Sequence, residues 1–254
     1  MKKQAAPTTN LCQVFEDRIV VRDHDLVSDL MGQRSFTEVL FLLLSGRLPS
    51  DGEKTVLDAV LVTLMEHGFT PQAIATRAIY RCEPGSIQGA MAAGLLGVGG
   101  VFAGTMADTA LLLEEMLASP SREEAAKSIV ARYRSAKKSI PGFGHPHHRP
   151  DDPRSARLFE IAERSQVKGD YIAAIKLLSR EVDAAFGKHL TINATGAIGA
   201  VLSEIGIPAS VMRGIAVVSR AGGLLGHIRE EQTNPAMPLI TDLVGDAVPY
   251  RADD

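Results

Sequence analysis

The amino-acid sequence predicts an all-α fold, and three observations carry that prediction. Helix-starting motifs recur along the whole chain, with a Ser, Thr or Asp placed to cap the helix that follows. Apolar residues return every three or four positions, as over residues 170–186, which keeps one helix face buried. Only residues 18–21 have the pattern of a strand. With 254 residues, 45% of them hydrophobic, the chain can bury one large core or two modest ones.

The predicted helices follow one another in order. Ser35 with Glu38, and Ser50 with Glu53, form capping boxes before two apolar runs. Further helices are predicted to start near residues 70, 86, 121, 152, 170, 190 and 210. Because residues 86–100 are apolar on all sides, we expect a central helix there, packed closely by its neighbours.

Charge and cysteine content narrow the class of protein. A formal net charge of -3 argues against a nucleic-acid partner, because such proteins usually carry a strong basic excess. No apolar run approaches the roughly 20 residues of a membrane span, and the polar start MKKQAAPTTN lacks an apolar signal core. Cys12 and Cys82 have no metal-binding spacing and are expected to be reduced thiols. We therefore expect a soluble, cytoplasmic protein whose partner is a small molecule.

One stretch, residues 125–150, contains no acidic residue and is locally basic. Its cations are Lys127, Arg132, Arg134, Lys137, Lys138 and Arg149. They surround a loop, residues 141–149, in which Gly142 and Gly144 would let the backbone approach a ligand closely. Because cations favour phosphate groups, this is the best anion-site candidate in the chain. A solvated basic helix end followed by a turn explains the pattern equally well.

Three histidines of this loop, His145, His147 and His148, are natural acids, bases or hydrogen-bond donors near neutral pH. Together with Asp151 and Asp152 they could also ligate zinc or iron. A loop interrupted by prolines lacks the fixed helical spacing of specific metal sites, so no metal is expected. A metal-dependent hydrolase is kept as an alternative, which stoichiometric metal after purification would support.

Two arginines lie where a cation needs a partner. Arg154 is in the first turn of a predicted helix, where the macrodipole disfavours positive charge, so an anionic ligand or a nearby Asp must compensate. Arg220 interrupts the apolar run GIAVVSRAGGLLG, so it is either in a structural ion pair or facing an anionic ligand. His67 and His227 are single histidines at apolar helices, where a core or capping role is more common than ligand binding.

Taken in order, several motifs resemble those of the citrate synthase superfamily, and most closely its short citryl-CoA lyase-like members. The resemblance covers residues 19–240. Its anchors are residues 21–49, Glu66-His67-Gly68, the apolar run to Gly104, GFGHP, Asp152-Pro153-Arg154, NATGAIGAVLSEIGIP and SRAGGLLGHIREE. Each motif alone is weak, but their order and spacing together are specific.

The resemblance implies an all-α homodimer with a large helical domain, residues 1–104 and 201–254, and a smaller domain, residues 105–200, that closes over the substrates. It implies chemistry in which a carbon–carbon bond is made or broken between an acyl-CoA such as acetyl-CoA and an oxo-acid such as oxaloacetate. It also implies that coenzyme A binds beside the basic loop. The candidates there are Lys137, Lys138, Gly142, Phe143 and Gly144.

Roles for single residues follow from the same resemblance. His145 matches a His that hydrogen-bonds the substrate oxo-carbonyl or hydroxyl and stabilises charge there. Arg154 and Arg220 match two arginines that hold substrate carboxylates, for which the guanidinium fork is suited. His67 matches another His that binds the oxo-acid.

The chain departs from the synthase pattern at three places. Thr195 occupies the position of the enolising carboxylate, and a Thr hydroxyl cannot abstract that proton. Phe102 and Ala103 stand where a synthase His stabilises the enol oxygen. The arginine expected near the end is absent from residues 234–237. An ordinary citrate synthase is therefore not expected.

The first functional hypothesis is a citryl-CoA lyase-like lyase or condensing enzyme that cleaves or forms a hydroxyacyl-CoA. Thr195 would orient a water or the thioester by hydrogen bonding, and Glu230 or Glu231 is a candidate for a displaced base. The second hypothesis is a catalytically inactive CoA-binding paralogue with a regulatory or complex-forming role. Turnover of acyl-CoA thioesters distinguishes the two.

Overall fold

The computed structural model describes residues 7–251 and has the all-α architecture that the sequence predicts. Outside this description lie residues 1–6 and 252–254, which are the outer ends of the expected large domain, and the side chains of Val101 and Phe102. The α-helices are α1 (Phe36–Ser45), α2 (Asp51–Met65), α3 (Pro71–Cys82), α4 (Ile87–Leu96), α5 (Thr105–Ala118), α6 (Arg122–Ser135), α7 (Pro153–Arg164), α8 (Asp170–Phe186), α9 (Ala194–Glu204), α10 (Ala209–Thr233) and α11 (Met237–Ala247).

The first two helices begin as their capping residues predict. Ser35 Oγ accepts a hydrogen bond from the Glu38 N–H, and the Glu38 carboxylate accepts one from the Ser35 N–H. Ser50 and Glu53 repeat this reciprocal pair at the start of α2. A hydrogen bond from Arg47, supported by the capping contacts, lowers the pKa of Glu53 to about 2. Both predicted capping boxes are confirmed.

Before α1 the chain forms a small antiparallel sheet of three strands, β1 (Cys12–Val14), β2 (Ile19–Val21) and β3 (His24–Asp25). The sequence predicts only the strand at residues 18–21, so β1 and β3 are additions. Strands of two or three residues are too short for an alternating pattern to be recognised. Arg22 and Asp23 make the hairpin turn with positive φ angles of 47° and 65°.

The prediction of a closely packed central helix over residues 86–100 is wrong in length and in burial. α4 ends at Leu96, and one π-helical turn (Gly100–Gly104) precedes α5. In α4 only Ala90 and Gly94 are buried, whereas the described Leu96 is 86% exposed. A Cβ at Gly94 would collide with Thr76 of α3 and lie 2.7 Å from Leu224 of α10, so this glycine permits close packing of one face on those two helices. The glycines that follow Leu96 disfavour continuation of the helix.

Two hydrophobic clusters fill the interior. The first joins α2, α7 and α10, and the second joins α6 and α8. Residues of α5 and α9 belong to both clusters, and their neighbours on each side fix the positions of these two helices. Within residues 7–251 no single helix is long and apolar enough to cross a membrane, although α9 and α10, bent by 117°, pass that length and composition criterion as a pair.

Candidate active site

Five of the residues predicted to carry chemistry line one cleft of about 500 Å³. They are His67, His145, Arg154, Thr195 and Arg220. His67 follows α2, His145 lies in the loop before α7, and the other three belong to α7, α9 and α10. The packing of the helices therefore brings together residues that are far apart in the sequence.

Four helices begin at this cleft, because residues in the first turns of α3, α5, α7 and α9 line it. The unpaired N–H groups and the dipole of a helix N-terminus favour negative charge. Asn193 fixes the start of α9: its Oδ1 accepts a hydrogen bond from the Gly196 N–H at 3.0 Å. Its Nδ2 donates to the Gly144 carbonyl at 2.9 Å, which ties α9 to the basic loop. The cleft is thus suited to an anionic ligand.

Arg154 pairs with Asp152, and this nearby carboxylate compensates the positive charge of Arg154 in the first turn of α7. Its Nε and Nη2 donate to the two carboxylate oxygens at 3.0 and 2.8 Å. Burial alone would raise the pKa of Asp152, but hydrogen bonds from Arg154 and the Ala194 N–H hold that pKa below its ordinary value. Arg154 Nη1 has no hydrogen-bond acceptor among residues 7–251. One side of the guanidinium therefore stays open to a ligand.

Arg220 has no ion-pair partner in the described part of the chain, which removes the structural alternative for this residue. Its Nη1 is buried and makes no hydrogen bond. Burial lowers the pKa of Arg220, and the charge of Glu66 acts weakly in the opposite direction. A buried donor without an acceptor is costly, so an anionic ligand is the expected partner.

The two candidate histidines differ in their hydrogen bonding. His145 Nδ1 accepts from the backbone N–H groups of His147 and His148, at 3.1 and 3.0 Å. Its pKa is lowered by burial, then by His148 and Arg154, so the neutral ring carries its proton on Nε2 and is a hydrogen-bond donor. The ring nitrogens of His67 have no partner in the described chain, and burial followed by Arg154 and Arg220 lowers its pKa.

Thr195 hydrogen-bonds a second hydroxyl that sequence reasoning missed. Its Oγ1 donates to Asn193 Oδ1 at 2.8 Å and lies 2.7 Å from Thr105 Oγ1. Because the Thr195 proton is directed to Asn193, Thr105 is the donor between the two hydroxyls. Thr105 lies two residues after Ala103, which also lines the cleft. The feature of the sequence that could have identified Thr105 is its place at the start of a helix. The expectation for the Phe102 side chain lies outside the described residues.

Neither Glu230 nor Glu231 lines the cleft, so the suggestion of a displaced base at these positions is wrong. Both carboxylates pair with Arg77, which is fully buried; Glu231 accepts from its Nη1 at 2.8 Å. Among the described side chains that line the cleft there is no Asp or Glu. His227 is buried and accepts from Arg77 Nε at 2.9 Å, which is the core role expected for it.

The predicted coenzyme A residues separate into two groups. Lys137, Lys138, Phe143 and Gly144 line a second cavity of about 480 Å³. The remaining lining residues are Arg134, Ser139, Ile140, Phe186 and Leu190. Gly144 lines the cleft as well, so the basic cavity and the cleft adjoin.

Gly142 lines neither of these cavities and instead packs against the start of α9. A Cβ on Gly142 would lie 2.9 Å from the Gly196 Cα, and its φ is +85°, so only glycine fits there without strain. Gly142 therefore holds the loop of residues 141–149 against the start of α9 and does not itself line a cavity.

The histidines and one aspartate form a group with metal-ligand chemistry. One ligand atom each from His145, His148 and Asp152 lie within 4.8 Å of one another. The Asp152 carboxylate, however, already carries the Arg154 guanidinium and the Ala194 N–H. A cation in this position would meet the positive charge of Arg154, so the donor set fits a metal ion poorly.

Comparison with known proteins gives concordant matches. A sequence family described as citrate synthase, C-terminal domain, matches residues 49–240. The curated citrate synthase of Heyndrickxia coagulans is 26% identical over 202 residues, which are 79% of this chain and 53% of that protein. The 2-methylcitrate synthase of Shewanella oneidensis is 26% identical over 208 residues, 76% of this chain and 50% of that protein. The chain spans about half the length of these curated relatives.

Solved structures match over nearly the whole chain. Citryl-CoA lyase from Hydrogenobacter thermophilus is 30% identical with a TM-score of 0.88, covering 98% of this chain and 96% of that one. ATP citrate lyase from Methanothrix soehngenii, solved with citrate and coenzyme A, has a TM-score of 0.79 at 18% identity. That match covers 100% of this chain and 43% of the other, and at such identity it supports the fold alone.

Proposed function

The chain belongs to the citrate synthase family, and from that premise we propose that it is a citryl-CoA lyase-like enzyme that cleaves or forms a hydroxyacyl-CoA. The observation that carries the proposal is the Arg220 Nη1, buried without an acceptor in the cleft that also holds His67 and His145. A carboxylate-bearing substrate satisfies this donor. The structural similarity to a citryl-CoA lyase over nearly the whole of both chains supports the reaction class.

The substrate carboxylate would bind between Arg220 and the open side of Arg154. Arg154 Nη1 and Arg220 Nη1 both lack acceptors among the described residues, and the helix N-termini at the cleft add favourable dipoles. A charge-assisted hydrogen bond to each arginine contributes about 1.5–3 kcal/mol. Arginine suits this role because its donors form a planar fork that matches a carboxylate.

Coenzyme A would occupy the basic cavity, with its thioester reaching the cleft past Gly144. Arg134, Lys137 and Lys138 supply three positive charges for phosphate groups, and Phe143 with Phe186 offers apolar surface. Because Gly144 has no side chain and a φ of +79°, its backbone leaves room where the two cavities adjoin. We propose no bound metal.

His145 would stabilise the reacting oxygen of the substrate. Its Nε2–H is free to donate because both hydrogen bonds to Nδ1 come from the backbone. During cleavage the donor would hold the hydroxyl oxygen as it becomes a carbonyl, and charge that develops there is stabilised. The protons of Thr195 and Thr105 are directed to Asn193 and Thr195, so these hydroxyls would orient a bound water by accepting a hydrogen bond from it.

We also propose the large domain over residues 1–104 and 201–254, the small domain over residues 105–200, and a homodimer. Exposed apolar side chains on α4 and α11 favour a partner copy: Leu96, Leu239, Leu243 and Val244. Free, exposed thiols at Cys12 and Cys82 favour a reducing compartment, which supports the cytoplasm.

A second candidate function is a catalytically inactive CoA-binding paralogue with a regulatory or complex-forming role. The observation that favours it is the chemistry at Thr195, whose hydroxyl is committed to Asn193 and Thr105 in a cleft whose described lining has no carboxylate side chain. This candidate keeps the basic cavity and predicts CoA binding without turnover.

The deciding experiment incubates the purified protein with citryl-CoA and related hydroxyacyl-CoA thioesters and measures the released acyl-CoA and oxo-acid. For Arg220→Gln we expect kcat/KM to fall about ten- to a hundred-fold, which corresponds to about 1.5–3 kcal/mol. Arg229→Gln is the matched control, because Arg229 is exposed on the same helix and bonds only Gln232. Tight CoA binding without turnover of any thioester supports the second candidate, and loss of CoA binding in Lys138→Gln identifies its site.

A further inference from the structure

We infer that His67 is the catalytic proton acceptor in hydroxyacyl-CoA cleavage and takes over the part of the carboxylate that the cleft lacks. This inference rests on the proposed function. No Asp or Glu side chain lines the described cleft, and Thr195 has no accessible proton-accepting form. The base must therefore be an imidazole, and three histidines line the cleft: His67, His145 and His147.

His145 is excluded as the base by its own hydrogen bonds. Its Nδ1 lone pair is directed at the N–H groups of His147 and His148, so the neutral ring has its proton on Nε2. Neither nitrogen then has a free lone pair for a substrate proton. His147 is the remaining competitor, but it is exposed on the loop directly after Pro146, whereas His67 lies within reach of the charges of both arginines that would hold the substrate.

His67 combines a free ring with a fixed backbone. No described group hydrogen-bonds its ring nitrogens, so one lone pair is open to the cleft. Its backbone N–H donates to Glu66 Oε1 at 2.8 Å, and the Gly68 N–H donates to the same oxygen. The Glu66 side chain therefore closes the turn that presents the imidazole.

A buried network in turn holds Glu66. His227 Nε2 lies 3.1 Å from Glu66 Oε1, and His227 Nδ1 accepts from Arg77 Nε at 2.9 Å. Because Arg77 Nε can only donate, the proton of neutral His227 is on Nε2 and points to Glu66. Arg77 is fully buried and anchored by Glu231. Glu66 and His227 are thus positioning residues for His67.

The charges around His67 favour its neutral, proton-accepting form. Burial lowers its pKa first, and then Arg154 from α7, Arg220 from α10 and His148 from the loop lower it further. Glu66 acts in the opposite direction from the neighbouring position. The His67 imidazole therefore stays neutral, and available as a base, to a lower pH than a histidine with the ordinary pKa of about 6.5.

The chemical step balances without a further reactant. The substrate hydroxyl gives its proton to the His67 imidazole, and the hydroxyl-bearing carbon becomes a carbonyl as the carbon–carbon bond to the thioester α-carbon breaks. The bonding electron pair moves to the thioester enolate. The α-carbon then takes the proton back from the His67 imidazolium, which releases acyl-CoA and oxo-acid and regenerates the neutral ring. His145 stabilises the oxygen throughout.

The test measures the rate of citryl-CoA cleavage by the wild type, His67→Gln and His147→Gln at about ten pH values between pH 5 and 9. In the wild type we expect kcat/KM to fall at low pH as His67 takes up a proton. His67→Gln should lower kcat about a hundred- to ten-thousand-fold and remove this low-pH dependence, with CoA affinity unchanged. For His147→Gln, which also alters the cleft lining, we expect the low-pH limb to remain whatever the change in kcat.

Rescue separates proton transfer from a structural role. Free imidazole should restore part of the turnover of His67→Ala, and His227→Asn should lower kcat without removing the pH dependence. The inference is overturned if His67→Gln keeps the low-pH limb, if His147→Gln loses it, or if imidazole has no effect on His67→Ala. A wild type that binds CoA but turns over no thioester contradicts the proposed function instead, so the two failures are distinguishable.

Discussion

Asp152 connects two helix starts beside the cleft, and its replacement by Ala should destabilise the fold strongly. Its side chain is fully buried and caps α7 by accepting from the Arg154 N–H at 3.1 Å. It also accepts from Arg154 Nε and Nη2 and from the Ala194 N–H, the last at 3.0 Å. One carboxylate therefore fixes the first turn of α7, the Arg154 guanidinium and the first turn of α9.

The expected magnitude follows from these contacts. Loss of a helix N-cap costs about 1 kcal/mol, and a buried N–H without a partner, here that of Ala194, costs about 1–3 kcal/mol. Breaking a buried ion pair costs about 3–5 kcal/mol, but Arg154 remains 28% exposed and water would solvate part of it. Contacts to one carboxylate are not additive, so we expect a total of about 3–4 kcal/mol for Asp152→Ala.

Urea unfolding at several protein concentrations measures this change, because self-association would make stability concentration-dependent. Asp151→Ala is the matched control: that carboxylate is 70% exposed and bonds only His189, so we expect less than about 1 kcal/mol. Asp152→Asn keeps the shape of the cap without the charge and should fall between the two. A stability of Asp152→Ala within about 1 kcal/mol of the control, with unchanged m-value, would refute the reasoning.

Three further predictions concern other parts of the fold. Hydrogen bonds from His189 to Asp183 and Asp151 raise the pKa of His189. The destabilisation caused by His189→Gln should therefore be largest below about pH 6.5 and shrink as pH rises through the folded-state pKa. Urea unfolding at each pH measures this change. Arg77→Ala should cost about 3–5 kcal/mol in thermal unfolding, because it leaves a buried carboxylate unpaired; a loss below about 1 kcal/mol contradicts this. Gly196→Ala should destabilise the fold by about 1–3 kcal/mol, because its Cβ would lie 2.5 Å from the Gly142 carbonyl oxygen. Gly214→Ala is the control: it lies on an open face of α10 and should stabilise slightly. Equal effects of the two substitutions would contradict the close approach at Gly196.

The sequence predicts helix starts well because a cap depends on residues within about three positions of each other. Ser35 and Ser50 therefore indicate the beginnings of α1 and α2 without knowledge of the rest of the chain. The same locality explains the failure over residues 86–100, where apolar composition alone does not reveal which neighbour covers each face. Burial of a helix is a property of its surroundings.

The candidate site shows a similar division. The residue types at His145, Arg154 and Arg220 indicate anion and oxygen binding, and their presence in one cleft agrees with that prediction. Thr105 was missed because a hydroxyl at a helix start is common and becomes informative only when a second hydroxyl lies 2.7 Å away. Distances of that kind depend on how α5 and α9 pack.

By itself the sequence determined the all-α class, most helix starts, the absence of the synthase carboxylate at Thr195, and the set of cations and histidines available for chemistry. Only the tertiary structure decided which of these groups are free. It pairs Arg77 with Glu231, 154 positions away, and leaves the Arg220 Nη1 without an acceptor among residues 7–251. The physical reason is that a cap or a residue type is a local property, whereas neutralisation of a buried charge depends on groups that distant segments bring within hydrogen-bond distance.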